Sequence, residues 1–328
     1  LIELEEMKDW MMPLTIGLVA VIAVGLGAVV SHNMVSNNAF EARDLMQRGM
    51  DKPAIWIFYD NSIPNARLGA DFGARSSRAL NLPFLNLCYE SIARHNANEY
   101  RIEVISGLDG LAEKLGGWDK LPQSLQNPLV TLEPADFAWI RASILNKYGG
   151  LWVSPATICL RPFGRMPASK PVFFGTDQDE TFSGTAGTNV PNFQVAWSPV
   201  PNHPFWAGWE AKSKARLSSS GGGDTARSAD KWEYLALAAM NPDIEVRPMA
   251  ELSRKGAAGK RIQIEDLLSS GQEGDMPFEI GSLVVYAPIP WPELRNRRAF
   301  GWFLKMSEDQ IAESDLVITD LFNIAGVV

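Results

Sequence analysis

Two cysteines in 328 residues leave no disulfide framework, and neither Cys88 nor Cys159 stands at a zinc-ligand spacing. Both sit in apolar surroundings, Asn-Leu-Cys-Tyr and Thr-Ile-Cys-Leu, and read as buried thiols. Asn-x-Ser/Thr acceptors for N-glycosylation are absent from the whole chain. Both absences point away from a secretory lumen for the bulk of the chain. Histidine is scarce: His32, His95 and His203 are the only three. His32 falls at the end of an apolar run, His95 at a helix end, and His203 in a Pro-Asn-His-Pro turn, all positions with structural uses. No Ser-His-Asp order and no phosphate-binding P-loop appears. Positive charge is also in deficit, with 30 Lys and Arg against 38 Asp and Glu for a net charge of −8. That excludes a general nucleic-acid footprint.

What remains is ordinary globular composition, 46% hydrophobic and 21% charged, with an uncommon count of 11 tryptophans. Trp fills cores more often than it lines sugar or base sites, so core packing is the first expectation. One stretch is not globular in character. Residues 12–30 (MPLTIGLVAVIAVGLGAVV) carry no charge. Nineteen residues at a helical rise span about 28 Å, close to a hydrocarbon core. The acidic flank 1–11 (LIELEEMKDWM) argues against a signal peptide, which begins with positive charge. The expected organisation is an N-terminal flank (1–11), a transmembrane helix (12–30), a juxtamembrane connector (31–52) and one α/β domain (53–328). Lys8 before the run, against Arg43, Arg48 and Lys52 after it, places the large domain on the non-lumenal side of a single-pass protein.

Within the large domain, Ala54 to Tyr59 is an apolar β-type run stopped by Asp60-Asn61. Pro83 to Asn96 has helical spacing at Phe84, Leu87, Cys88, Ser91 and Ile92. Tyr100 to Ile105 alternates as a strand. Strand, helix, strand at this spacing predicts a parallel βαβ unit. A further helix runs from Pro134 to Lys147 and ends on Gly149-Gly150. Short strands follow at 151–153, 158–160, 172–174 and 193–197, then a helix from Pro204 to Leu217 and a Ser/Gly loop at 218–224. A late strand spans Ser282 to Ile289. Ser307-Glu-Asp-Gln310 is a capping box opening a helical, apolar C-terminus. Lys260-Arg261 and Arg295 to Arg298 are local basic patches, read as solvated faces or as contacts for phosphate or a partner.

One segment, Arg141-Ala-Ser-Ile-Leu-Asn-Lys-Tyr148-Gly149-Gly150-Leu-Trp152-Val-Ser154-Pro-Ala156, resembles the centre of capsular-polysaccharide-synthesis-type glycosyltransferases. Those enzymes follow an Arg-bearing helix with Tyr-Gly-Gly, an aromatic and an Asp-x-Asp. Ile55-Trp-Ile-Phe-Tyr-Asp60 is similar to the family's first strand. Leu85 to Ile105, with Ser91-Ile-Ala-Arg-His95-Asn96 and Tyr100-Arg-Ile, and Asn192 to Trp209 are similar to later segments. The resemblance spans residues 54 to 210 and implies a GT-A-like nucleotide-diphospho-sugar transferase fold, a mixed, mostly parallel sheet flanked by helices. It implies a nucleotide-sugar pocket around Trp56, Asp60, Arg141, Gly149, Gly150 and Trp152. It also implies Mn²⁺ or Mg²⁺ on the diphosphate.

Aligned on Tyr148-Gly149-Gly150, however, the family's acids are replaced by Ala138, Ser154 and Ala156. Neutral side chains cannot hold that cation, so no cofactor is expected. Asp136 is two residues from the helix position, about 200° around the axis. A literal Asp-x-Asp survives only at Asp177 and Asp179, read first as a solvated acidic loop and second as a relocated metal site. The function expected is that of a degenerate, membrane-anchored glycosyltransferase-like protein. It would act as a structural or accessory subunit, with other protein subunits as partners, in an organellar complex or a virion membrane. An active, metal-independent transferase using a nucleotide-sugar is the alternative.

Overall fold

Apolar β-rich runs set the centre of the molecule. The structure is a computed structural model, and it describes residues 52–60, 83–127, 130, 132–176, 191–218, 225–253, 261–271 and 280–328. The expected transmembrane helix (12–30), its flank, its connector up to residue 51 and the pair Asp177 and Asp179 lie outside the described residues. Among the described residues, no helix is long and apolar enough to cross a membrane.

Strand β1 (Ala54–Tyr59) is buried along nearly its whole length, as a strand covered on both faces must be. It lies between β2 (Arg101–Ser106) and β3 (Gly150–Val153), parallel to both. Helix α1 (Pro83–Asn96) leads into β2, so the βαβ unit read from the sequence is present. Its predicted inward residues, Phe84, Leu87, Cys88, Ser91 and Ile92, are all buried. Helix α2 (Gly107–Leu115) follows β2 directly and had no counterpart in the sequence reading. Helix α3 (Pro134–Tyr148) delivers the chain to β3.

Beyond β3 the sheet turns antiparallel. Strand β6 (Pro191–Ser198) runs against β3 on one side and against β5 (Val172–Thr176) on the other. Strand β7 (Glu245–Arg247) adds parallel to β5. The six-stranded order is β2-β1-β3-β6-β5-β7, with β6 as the one antiparallel member. Strands β4 (Thr157–Cys159) and β8 (Tyr286–Pro288) pair in a separate two-stranded ribbon. The late strand is shorter than the predicted 282–289, because Val285 instead donates its amide to Glu251 in a neighbouring turn.

Helices flank this sheet, and two apolar clusters hold it. Trp56, Phe58 and Trp152 project into the first, where α3, α4 (Pro204–Ser218) and α5 (Thr225–Ala238) cover them. Five aromatics pack there around Phe173: Phe193, Phe205, Trp206, Trp209 and Tyr234 all lie within 6.0 Å of it, ring to ring. The second cluster joins α1, the small ribbon, α6 (Ile264–Leu267), α7 (Trp291–Asn296), α8 (Glu308–Ala312) and the C-terminal α9 (Val317–Ala325). The predicted capping box is formed, with Gln310 N–H donating to Ser307 Oγ at 3.2 Å. The apolar end docks on its own domain through Leu321, Phe322 and Ala325. His95 meets the Ala325 carbonyl at 3.1 Å and ties α9 to α1.

Candidate functional site

In an open α/β sheet, ligands bind outside the carboxyl ends of the parallel strands. Here that edge is where β1 delivers Asp60 and β3 delivers Ser154-Pro155-Ala156. The two glycines of the motif lie at the other end of β3. Gly150 has φ +94°, and a Cβ there would come within 2.5 Å of the Ala54 carbonyl oxygen, at the start of β1. Gly149 has φ +67°, and its Cβ would meet the Val200 backbone at 3.2 Å. Both positions therefore demand glycine for close approach and for left-handed backbone.

Trp56 explains why the turn is held so closely. Its indole N–H donates to the Gly149 carbonyl at 2.8 Å, and its ring lies 5.1 Å from Tyr148. Trp152 pairs in register with Trp56 and is 4% exposed. Of the six residues placed at a pocket by the resemblance, Trp56, Gly149, Gly150 and Trp152 thus belong to one packed unit, with Trp56, Gly149 and Trp152 buried and Gly150 half-buried. Asp60 is at the carboxyl edge and buried. Burial of the Tyr59 phenol, with the Asp60 charge as the smaller cause, pushes that phenol up to about 12.

Arg141 reaches the same edge from α3. One guanidinium nitrogen donates to the Phe193 carbonyl at 3.2 Å, and another faces the Asp230 carboxylate at 3.2 Å. By register Phe193 lies two places beyond Val195, the partner of Val153, which puts Arg141 beside the end of β3. The guanidinium also lies over the rings of Phe193 (5.2 Å) and Trp209 (5.1 Å). Its Nε is buried with no acceptor among the described residues.

A second acid lies one helical turn from Asp230. Glu233 accepts hydrogen bonds from Trp209 Nε1 and Ser213 Oγ, both at 3.0 Å, and pairs with Arg216 at 2.7 Å. Burial raises its pKa despite those partners. Neither Asp230 nor Glu233 was singled out from the sequence. Their i,i+3 spacing in Thr225 to Ala238 was the available signal, hidden behind the Ser/Gly loop that precedes the helix.

The three positions that the resemblance aligns with acids differ from one another. Ala138 is 1% exposed inside α3. Ser154 is half-buried, and its backbone N–H donates to the Gln194 carbonyl at 2.8 Å. Ala156 is fully buried within the second apolar cluster, among residues such as Phe84, Ile158 and Ile289, and its carbonyl accepts from Ile289. Asp136 has its own task, since its carboxylate accepts the Glu133 N–H at 2.7 Å and closes the start of α3. A divalent cation on a diphosphate needs charged oxygen donors at this strand end. One neutral hydroxyl and two methyl groups do not fit it. Among the described residues, no group of three or more His, Cys, Asp or Glu is placed to hold a metal ion.

The remaining titratable candidates serve structure. His203 Nδ1 accepts the Phe205 N–H at 3.3 Å at the start of α4, as its turn context predicts. Cys88 and Cys159 are buried free thiols, and burial pushes the Cys159 thiol up to about 12.

A scan against protein-family models and a search of curated proteins both find no match. Among solved structures the chain is similar to a PaToxG glycosyltransferase, at 13% identity and a TM-score of 0.36 over 58% of this chain and 70% of that one.

Proposed function

We propose that this is a glycosyltransferase-like protein that has given up metal-dependent sugar transfer and serves as a membrane-anchored structural or accessory subunit of a larger assembly. The observation that carries the reading is Ala156. The position that would hold a metal-binding acid is a fully buried methyl in an apolar cluster. An ionised carboxylate there would lose several kcal/mol of hydration with no partner to replace it. The sequence resemblance supports the fold named; the uncharged run 12–30 supports the anchor. An organellar membrane complex and a virion membrane both suit such a subunit.

One observation favours a second reading, a transferase that works without metal. Arg141 keeps a buried nitrogen without an acceptor beside the carboxyl edge, and Asp60 is close along that edge. A cation so placed can stabilise a diphosphate leaving group. Against this, Arg141 is already held by Asp230 and Phe193.

The test is isolation of the tagged full chain from its own membranes in mild detergent. The accessory reading expects migration in a stoichiometric assembly with other subunits and no hydrolysis of added nucleotide-sugars. Migration as a lone chain that turns over a donor contradicts it.

A further inference from the structure

The stretch from Trp291 to Lys305 carries Arg295, Arg297, Arg298 and Lys305 against one acid, Glu293, in a chain whose net charge is −8. Two 3-10 turns, Arg298–Phe300 and Phe303–Lys305, are joined by Gly301 and Trp302, both with right-handed helical backbone angles. Residues 298–305 therefore form one short helical ridge, about 14 Å long. Its inner side is apolar: Phe303 and Leu304 are buried in the second cluster, and Phe300 packs against it. Arg298, Trp302 and Lys305 are all exposed on the ridge; Trp302 and Lys305, three residues apart, share one face of the 3-10 geometry, and Arg298 stands at the start of the ridge about 120° around.

The charges beside the ridge are divided. Arg297 pairs with Glu265 and lies over the Phe300 ring, and Arg261 pairs with Glu293 at 3.0 Å. Arg295, Arg298 and Lys305 make no ion pair among the described residues. Beyond the ridge, Glu308 accepts from Asn86, and Asp309 is exposed. A solvated face accounts for the arginine and the lysine. It does not account for Trp302, whose indole is 46% exposed while Trp56, Trp139, Trp206 and Trp209 are buried almost completely.

We propose that this ridge is a peripheral contact for an anionic lipid surface. Arg298 and Lys305 would meet headgroup phosphates while the indole of Trp302 settles at the headgroup–acyl boundary. Amphipathic rings favour that depth, and cations within a Debye length are drawn to the anionic leaflet. An exposed indole with a cation before it and a cation after it along one exposed ridge fits a broad surface of negative charge. The inference rests on the anchor proposed above only for keeping a bilayer within reach.

The experiment uses the full chain with Ala299→Cys, an exposed position, labelled with an environment-sensitive dye; Cys88 and Cys159 are 0% exposed and do not compete for label. The labelled chain is mixed with lipid nanodiscs, either pure phosphatidylcholine or containing about a third phosphatidylserine. The expected result is a blue shift in the anionic discs alone, abolished by high salt. Arg298→Glu with Lys305→Glu should weaken the phosphatidylserine-dependent signal roughly tenfold or more. Trp302→Ala should keep the salt dependence and lose most of the shift. Identical emission in both discs, or a shift that survives the double charge reversal, overturns the ridge. So does a shift produced by an acidic peptide without lipid, which would assign a protein partner. Co-elution with anionic discs only, with the shift present, removes the anchor and leaves the ridge standing. Co-elution with neither disc overturns both.

Discussion

The two halves of the motif, Gly149-Gly150 and Ser154-Pro155-Ala156, stand at opposite ends of one four-residue strand and have opposite fates. At the amino end every feature is kept under steric demand: positive φ, a backbone approach that excludes any Cβ, and an indole donating to the turn. At the carboxyl end, where the chemistry of a transferase would sit, the side chains are a neutral hydroxyl and a methyl sealed in an apolar cluster. The contrast separates what packing demands of a residue from what catalysis would demand of it. Packing constrains Gly150 whatever the protein does. Only catalysis would constrain Ala156 to be an acid.

The largest effect is expected at the amino end. Gly150→Val places a branched side chain against the Ala54 carbonyl and should destabilise the domain by about 4 kcal/mol or prevent folding, read by denaturant melts. At the carboxyl end, Ala156→Asp should cost about 3 kcal/mol by burying an unpartnered carboxylate. Its melting temperature should not recover with Mn²⁺; full recovery would mean that the cation geometry survives and would erase the contrast. Trp56→Phe keeps an aromatic ring but removes the hydrogen bond to Gly149 and the buried pyrrole edge, for an expected loss of about 2 kcal/mol.

The smallest effect concerns pH. Burial, with the nearby Arg94 charge, holds the His95 imidazole below its ordinary value, while its contact with the Ala325 carbonyl acts the other way. The folded state thus binds this proton less readily than the unfolded one. The stability it contributes is present above the ordinary imidazole value of about 6.5 and is lost as pH falls through the lowered one. Hydrogen exchange across Val317 to Ala325, corrected for intrinsic rates, should show weaker protection at pH 5 than at pH 7. His95→Gln should remove most of that difference; His203, shifted in the same direction, would leave a remainder elsewhere.

The sequence made the scaffold readable wherever apolar residues fall in a strong period. The run Ala54 to Tyr59, the helix from Pro83 and the helix ending on Gly149 needed no tertiary information, because each carries its own start or stop signal. Helix α5 escaped because it follows a Ser/Gly loop and buries two charged residues, Lys231 and Glu233, beside Tyr234 and Leu237, a mixture that periodicity misreads. The site was less legible for a geometric reason. Sequence proximity made Gly149, Gly150, Trp152 and Ser154 look like one constellation, whereas a strand carries its two ends apart. Trp56 is placed at a pocket only by the resemblance of the first strand; its partner, the Gly149 carbonyl, is 93 residues away and invisible to local pattern. Arg141 was named from the resemblance, but its partner Asp230 lies on a helix that the sequence reading did not assign.

The central claim is that the carboxyl edge does not hold a metal–diphosphate donor. Calorimetric titration of the full chain in detergent with UDP-glucose, UDP-galactose and GDP-mannose, each with and without Mn²⁺, tests it most directly. The account predicts that Mn²⁺ changes none of the binding heats and that no donor is hydrolysed. Binding strengthened by Mn²⁺, together with release of the nucleoside diphosphate, would contradict it.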